Sequence, residues 1–208
     1  KAAQIAQAAL TTTIPDIRFG IAESELASEL TLQILRAGSD SEIPFAPIVS
    51  AGPNSANPHA TPSDRLLQPG DMLVMDFGAS HKGYFSDITR TFALGDVAPE
   101  YTRIAQVVLE ANTASRSIAR PGITAHEVDQ AARTMIEAAG YGAFFTHRTG
   151  HGLGLEGHEE PYIRQGSSLI LKPGMTFTIE PGIYLPRQNG VRIEDDVVIS
   201  ATGLESLT

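Results

Sequence analysis

An internal repeat with a drifting offset limits what this chain can fold into more than any other feature. Gly20-Ile21 recurs as Gly122-Ile123 at an offset of 102, which also pairs Glu25 with Glu127, Leu26 with Val128, Ile34 with Ile136 and Gly38 with Gly140. Farther on, Pro69-Gly70 and Asp76-Phe77-Gly78 match Pro173-Gly174 and Glu180-Pro181-Gly182 at an offset of 104. Gly83 and Asp87 then match Gly190 and Glu194 at 107, and upstream Ile5-Ala6-Gln7 recurs as Ile104-Ala105-Gln106. Loop insertions lengthen an offset without disturbing the elements on either side. The pattern therefore predicts two copies of one unit about a pseudo-two-fold.

The elements of that unit can be read locally. Residues 1–12 are Ala-rich, with Ile5, Ala9 and Leu10 on one helical face, and Pro15 ends the segment. Residues 23–37 place Leu26, Leu30, Ile34 and Leu35 at helical spacing ahead of Gly38. In the second copy, a long helix follows Pro99, and Thr124 with Glu127 forms a capping box for a helix running to Gly140. Residues 43–51 read as extended, followed by the turn-rich loop GPNSANPHATPSD. Strands are expected at 71–78 and 84–94, and again at 175–185 and 191–200. Each copy is thus helix–helix–strand–strand, an α+β unit.

Composition narrows the function classes. The 208 residues suffice for one large domain with a substantial core. With 24 acidic against 15 basic residues the formal charge is −9, and no basic patch with interleaved aromatics appears, which speaks against a nucleic-acid partner. The absence of cysteine excludes thiolate metal sites and cysteine nucleophiles. No run reaches membrane-spanning length, so no membrane role is expected. The letters of a dinucleotide fingerprint in Gly152–Gly157 lack the apolar strand before and the helix after that such a site requires.

Superposing the copies aligns carboxylate with carboxylate twice: Asp76 with Glu180, and Asp87 with Glu194. In each copy one carboxylate is expected to end a strand and the other to lie on the next strand across a turn. A pseudo-two-fold brings both pairs to one void, and His151 supplies an imidazole. Four carboxylates carry roughly the charge that two divalent cations neutralise, and paired ions typically sit ~3.5–4 Å apart. The oxygen-rich set suits a hard ion, Mn²⁺ first, with Co²⁺, Zn²⁺ or Fe²⁺ as alternatives. His59 lies in the loop NSANPHA and His158 in GHEEPY, which Pro161 closes; Gly150 and Gly152 argue against a helical His147–His151 ligand pair.

The segments DFGASHKGYFSDITRTF, HRTGHGLGLEGHEEPY, GMTFTIEPGIY and GVRIEDD resemble the signature segments of the pita-bread metallopeptidases (family M24). Within them they are most similar to Xaa-Pro aminopeptidases (aminopeptidase P) and Xaa-Pro dipeptidases (prolidases). The resemblance spans essentially the whole chain. It implies a duplicated α/β unit around a curved antiparallel sheet. It also implies two metal ions bridged by Asp87 and Glu194, with Asp76 on one and His151 with Glu180 on the other. Glu180 would also be the general base for a water nucleophile. His59 and His158 would bind substrate and stabilise the reacting carbonyl, His147 would line the proline pocket, and Arg192 would organise the carboxylates.

The implied reaction is hydrolysis between an N-terminal residue and a following proline, so the implied partner is a peptide with proline second. The 13 residues between Glu180 and Glu194 favour this branch over a methionine aminopeptidase-like enzyme. The intact ligand set disfavours a non-catalytic binding module on the same fold. Residues 1–208 are expected to be the catalytic domain alone, a fragment without the family's N-terminal domain. The resemblance further implies a cytoplasmic protein that is a homodimer at full length.

Overall fold

Two helix pairs, each followed by a set of antiparallel strands, give the repeat its physical form. The computed structural model describes all 208 residues, Lys1–Thr208. The first half runs through helices α1 (Ala2–Thr13) and α2 (Glu23–Arg36), then strands β1 (Ile48–Ala51), β2 (Met72–Phe77), β3 (Ser80–His81), β4 (Tyr84–Phe85) and β5 (Ile88–Ala93). The second half runs through α3 (Pro99–Ile118), α4 (Ala125–Ala138), β6 (Gly150–Gly152), β7 (Glu159–Ile163), β8 (Thr176–Ile179), β9 (Gly182–Tyr184), β10 (Gly190–Arg192) and β11 (Asp195–Ile199), with β12 (Leu204–Ser206) after it. The fold is α+β, as the periodicity predicts.

The two sheets follow one plan. Strand β2 lies between β1 and β5, just as β8 lies between β6 and β11; β7 and β12 extend the second sheet at its edges. The small hairpins β3–β4 and β9–β10 occupy equivalent places. Individual hydrogen bonds recur as well. Gly20 N–H donates to Leu67 O at 2.9 Å and Gly122 N–H to Leu171 O at 3.0 Å. Gly70 N–H donates to Leu94 O at 2.7 Å and Gly174 N–H to Ile199 O at 2.8 Å.

Helix α2 buries Leu26, Leu30 and Ile34, each fully, against Leu73, Met75 and Phe77 of β2. Burial of such a side chain contributes roughly 1.5–3 kcal/mol. Leu35 faces outward instead, 41% exposed, because it lies one residue off the buried stripe. Val128 of α4 packs with Phe177, Ile179 and Val197 in the same way. A third cluster joins the halves: Met72 of β2 packs with Ile104 and Val108 of α3 and Val191 of β10. The capping box of α4 forms as expected, with Thr124 Oγ1 accepting from Glu127 N and the Glu127 carboxylate accepting from Thr124 N.

The expected long strands are interrupted. Residues 84–94 divide into β4 and β5, and 175–185 and 191–200 break after Ile179 and before Asp195. The segment 147–161, where the glycines argue against a helix, contributes β6 and most of β7. Gly150 and Gly152 lie so close to the backbone carbonyls of Thr178 and Glu160 that a Cβ atom would collide with them. Glycine here serves close strand approach, which is what its bulk-free backbone permits in a sheet.

Candidate metal centre

The strand interruptions are where the carboxylates sit. Asp76 occupies the penultimate position of β2, and Glu180 follows β8 directly. Asp87 lies in the break just before β5, a correction to the expectation that it lies on that strand, and Glu194 lies just before β11, where it forms an isolated antiparallel bridge with Thr89. The Asp87 amide leaves the ladder, whereas the Glu194 amide pairs with the other half. Asp87 N–H donates to the Asp196 carboxylate, and Glu194 N–H donates to Thr89 O across the junction of the halves.

One cavity of about 560 Å³ is lined by Asp76, Asp87, His151, Glu180, Glu194, His59, His147, His158 and Arg192. Every candidate residue from the sequence therefore meets in one place. Only three of the fifteen lining residues are hydrophobic, so polar groups direct whatever binds there. Arg148 and Arg164 also line it and were not singled out from sequence. Arg148 lies inside the segment HRTGHGLGLEGHEEPY and Arg164 two residues past it, and neither has a repeat partner that marks it.

The inner wall is a tight acidic cluster. Ligand atoms of Asp87, His151 and Glu194 lie within 4.8 Å of one another. His151 Nε2 is 3.6 Å from Asp87 Oδ2 and 3.4 Å from Glu180 Oε1. His151 Nδ1 is 3.1 Å from the carbonyl oxygen of Gly152, so it carries the proton and leaves Nε2 free to coordinate. Burial, then the charges of Glu194 and Asp76, raise the Asp87 carboxyl well above its usual range. Burial and Glu180 do the same to Glu194, and burial lifts Glu180 to about 7 against the opposing pull of Arg192. Burial also holds His151 neutral, down to about 3.

These residues fit a divalent metal. Asp76 Oδ1 and Asp87 Oδ1 are buried with no hydrogen-bond partner, in a cluster otherwise rich in acceptors. Orphaned buried carboxylate oxygens beside other carboxylates need either protons or a cation. Oxygen donors with one imidazole are what hard divalent ions select.

The sequence matches the profile of metallopeptidase family M24 over residues 1–201. The chain belongs to that family. It is 43% identical over 208 residues to a Xaa-Pro dipeptidase from Pyrococcus furiosus, covering 100% of this chain and 60% of that protein. Among solved structures, a Xaa-Pro dipeptidase from Bacillus anthracis superposes with a TM-score of 0.97 at 43% identity, covering 100% of this chain and 58% of that one. An X-Pro aminopeptidase from Thermotoga maritima gives 0.96 at 40% identity, over 100% and 58% respectively. The chain thus spans roughly three fifths of each relative. The pita-bread architecture expected from the signature segments is the one observed.

A second layer organises this M24 centre. Arg192, almost fully buried, donates through Nη2 to Asp76 Oδ2, through Nε to Thr89 Oγ1 at 3.0 Å and through Nη1 to the Tyr184 hydroxyl at 2.9 Å. Thr89 in turn donates to Glu194 Oε2 at 2.6 Å. Tyr184 was missed from sequence, although its place four residues after Glu180 repeats nothing in the first half that could have flagged it. The 147 loop is clamped from α4: buried Asp129 pairs with Arg133 and accepts from Thr149 N and Oγ1, while Arg133 Nη2 donates to His147 O at 2.6 Å.

The M24 site is asymmetric for a reason that register exposes. Gly152 pairs with Phe177, which sets His151 opposite Thr178; the repeat equivalent of Thr178 is Val74, and Val74 pairs with Ser50. Ser50 therefore stands in the first half where His151 stands in the second. His158 stacks against His151, ring centroids 4.0 Å apart, and burial lowers its pKa. His59 is exposed at the tip of its loop, with its backbone amide held by Asn57 Oδ1 at 3.1 Å.

Proposed function

We propose that this chain is the catalytic domain of a dinuclear-metal peptidase that hydrolyses the bond between an N-terminal residue and a following proline. The observation that carries it is the convergence of four carboxylates, His151 and three further histidines on one polar cavity, in an M24 chain 43% identical to a Xaa-Pro dipeptidase. Asp87 and Glu194 would hold both ions, Asp76 one of them, and His151 with Glu180 the other, Mn²⁺ being the first candidate. Such ions, when bound, polarise a carbonyl and lower the pKa of water.

The remaining work falls to the chain. Glu180 takes the proton of the attacking water and returns it to the departing proline nitrogen. His59 and His158 hold the substrate and donate to the developing oxyanion from the cavity's outer side. His147 offers its ring rather than its nitrogens, since Nδ1 faces Arg148 O and Nε2 faces Tyr184 Oη. An apolar ring face suits a proline ring, whose nitrogen brings no N–H to be satisfied. Arg192 holds Asp76 in place and takes no proton.

The test is hydrolysis by the metal-loaded, full-length protein of Xaa-Pro dipeptides against longer Xaa-Pro-Yaa-Zaa peptides. Cleavage of either supports the reading and separates dipeptidase from aminopeptidase. Cleavage of Met-Ala-Ser with neither proline set touched would replace it by a methionine aminopeptidase-like activity. Failure to bind any divalent ion would point to a binding module. The family resemblance also supports a cytoplasmic homodimer, which fractionation and sedimentation of the full-length protein check. The structure has no helix long and apolar enough to cross a membrane.

A further inference from the structure

We infer that Glu23, a residue outside the cavity, is a positioning residue for His59. Its side chain is fully buried and has no cationic partner among the ion pairs of the structure. Instead it gathers donors from both stems of one loop. Ala51 N–H donates to Oε1 at 2.8 Å, and Asn54 Nδ2 lies 3.2 Å from Oε1 and 3.0 Å from Oε2. Ser63 donates to Oε2 through its amide at 3.1 Å and its hydroxyl at 2.7 Å. Residues 51 and 63 bracket the loop whose tip carries Pro58 and His59 into the cavity wall. One carboxylate thus closes the loop at its base.

The repeat supplies an internal control. Glu23 N–H donates to Arg65 O and Ser24 N–H to Ser63 O; in the second half Ala125 N–H donates to Leu169 O and His126 N–H to Ser167 O. The helix start docks on its strand partner identically in both halves, yet the second half does so with alanine at the position of Glu23. The fold unit does not need a carboxylate there. The first half has at that place a loop without strand pairing that carries His59, whereas the equivalent segment of the second half, which carries His158, is held by β7 pairing with β6. The far side of the loop is tied to the other half, by Arg192 Nη1 to Pro58 O at 3.3 Å and Gly190 N–H to Ser55 Oγ at 2.8 Å. Glu23 fixes the near side. A buried acceptor with this many donors holds a loop to a fraction of an ångström, and a misplacement of about 1 Å can cost on the order of 100-fold in rate.

This rests on the proposed role of His59, so the test separates the two. In the metal-loaded full-length protein, Glu23→Gln should lower kcat/KM on an Xaa-Pro substrate by about tenfold or more, with metal content unchanged. In a His59→Ala background the same change should have no further effect, because Glu23 acts through His59. Independently of activity, amide exchange across residues 51–63 should quicken in Glu23→Gln while residues 167–171 stay as protected as in the parent protein. Asn54→Ala, which removes one donor and leaves the carboxylate, should reproduce both effects in weaker form if Glu23→Gln folds poorly. The same fold-loss on adding Glu23→Gln to His59→Ala as on adding it to the parent, or unchanged exchange across 51–63, overturns the inference. An inactive parent protein with quickened exchange in Glu23→Gln overturns the peptidase reading and leaves Glu23 as the anchor of this loop.

Discussion

His147 Nε2 lies 2.8 Å from the Tyr184 hydroxyl oxygen, and the two residues form the centre of a directed chain of hydrogen bonds. Arg192 donates to the Tyr184 oxygen, which obliges the phenol proton to point at His147 Nε2. Burial pushes the phenol up to about 12, so that proton stays in place. His147 Nδ1–H then donates to Arg148 O at 2.7 Å. Tyr184→Phe leaves His147 Nε2 buried without a donor and should cost about 1–3 kcal/mol of stability. Chemical denaturation of the metal-free variant against its parent measures this.

The same ring gives a pH signature. Burial, ahead of the Arg192 charge, holds His147 down to about 3, whereas an unfolded histidine titrates near 6.5. Between those values the unfolded chain binds the extra proton, so stability falls as pH is lowered from about 6.5 toward 3. Each proton contributes a slope of at most ~1.4 kcal/mol per pH unit. In metal-free protein kept with chelator, His147→Asn should make the stability curve shallower in that window. An unchanged slope would show that the ring is protonated in the folded state.

Removing a ligand charge should separate metal binding from folding. Asp87→Asn deletes one charge from a cluster whose members repel each other, so the metal-free variant should be at least as stable as metal-free parent protein. Activity and bound metal should both be lost. Added Mn²⁺ should raise the melting temperature of the parent and not of the variant; a ligand at 100 times its Kd stabilises by about 2.7 kcal/mol. Wild-type turnover by Asp87→Asn would refute its assignment as a ligand.

Arg192 and Asp76 form the most buried ion pair in the molecule. Arg192→Met leaves Asp76 without its cation and should destabilise by roughly 3–5 kcal/mol, the range for breaking a buried pair from one side. The Asp76→Asn, Arg192→Met double variant should recover part of that loss. A thermal-melt cycle of the four proteins reads the coupling.

Gly150→Ala tests the strand that carries His151. A Cβ there meets the Thr178 carbonyl, a backbone atom that cannot step aside. The expected result is loss of metal affinity greater than any loss of helix content by circular dichroism.

What the sequence disclosed, and what it hid, follows from chemistry shared between the halves. Asp76 with Glu180 and Asp87 with Glu194 are legible because both copies kept a carboxylate at equivalent positions. His151 had no visible counterpart because Ser50, its equivalent by register, shares neither its size nor its donor set. Strands β6 and β7 were hidden by glycines and a proline that normally mark loops, here tolerated because Gly150 and Gly152 let neighbouring backbone approach β6 closely and Pro161 lies on the edge strand. Tyr184, Arg148 and Arg164 reach the cavity through tertiary placement alone, and periodicity carries no record of it.

The junction at Thr89 and Glu194 has one more consequence. Each half owns a complete helix pair, a sheet and two of the four carboxylates, but neither owns a coordination set. Severing the chain in the segment between β5 and α3 would divide the four carboxylates two and two, while the packing of Met72 on Ile104, Val108 and Val191 would still hold one piece to the other. Reunion of the two pieces would be expected to strengthen with divalent ion concentration only if the cavity holds the ions proposed for it, and otherwise to rest on that apolar contact alone.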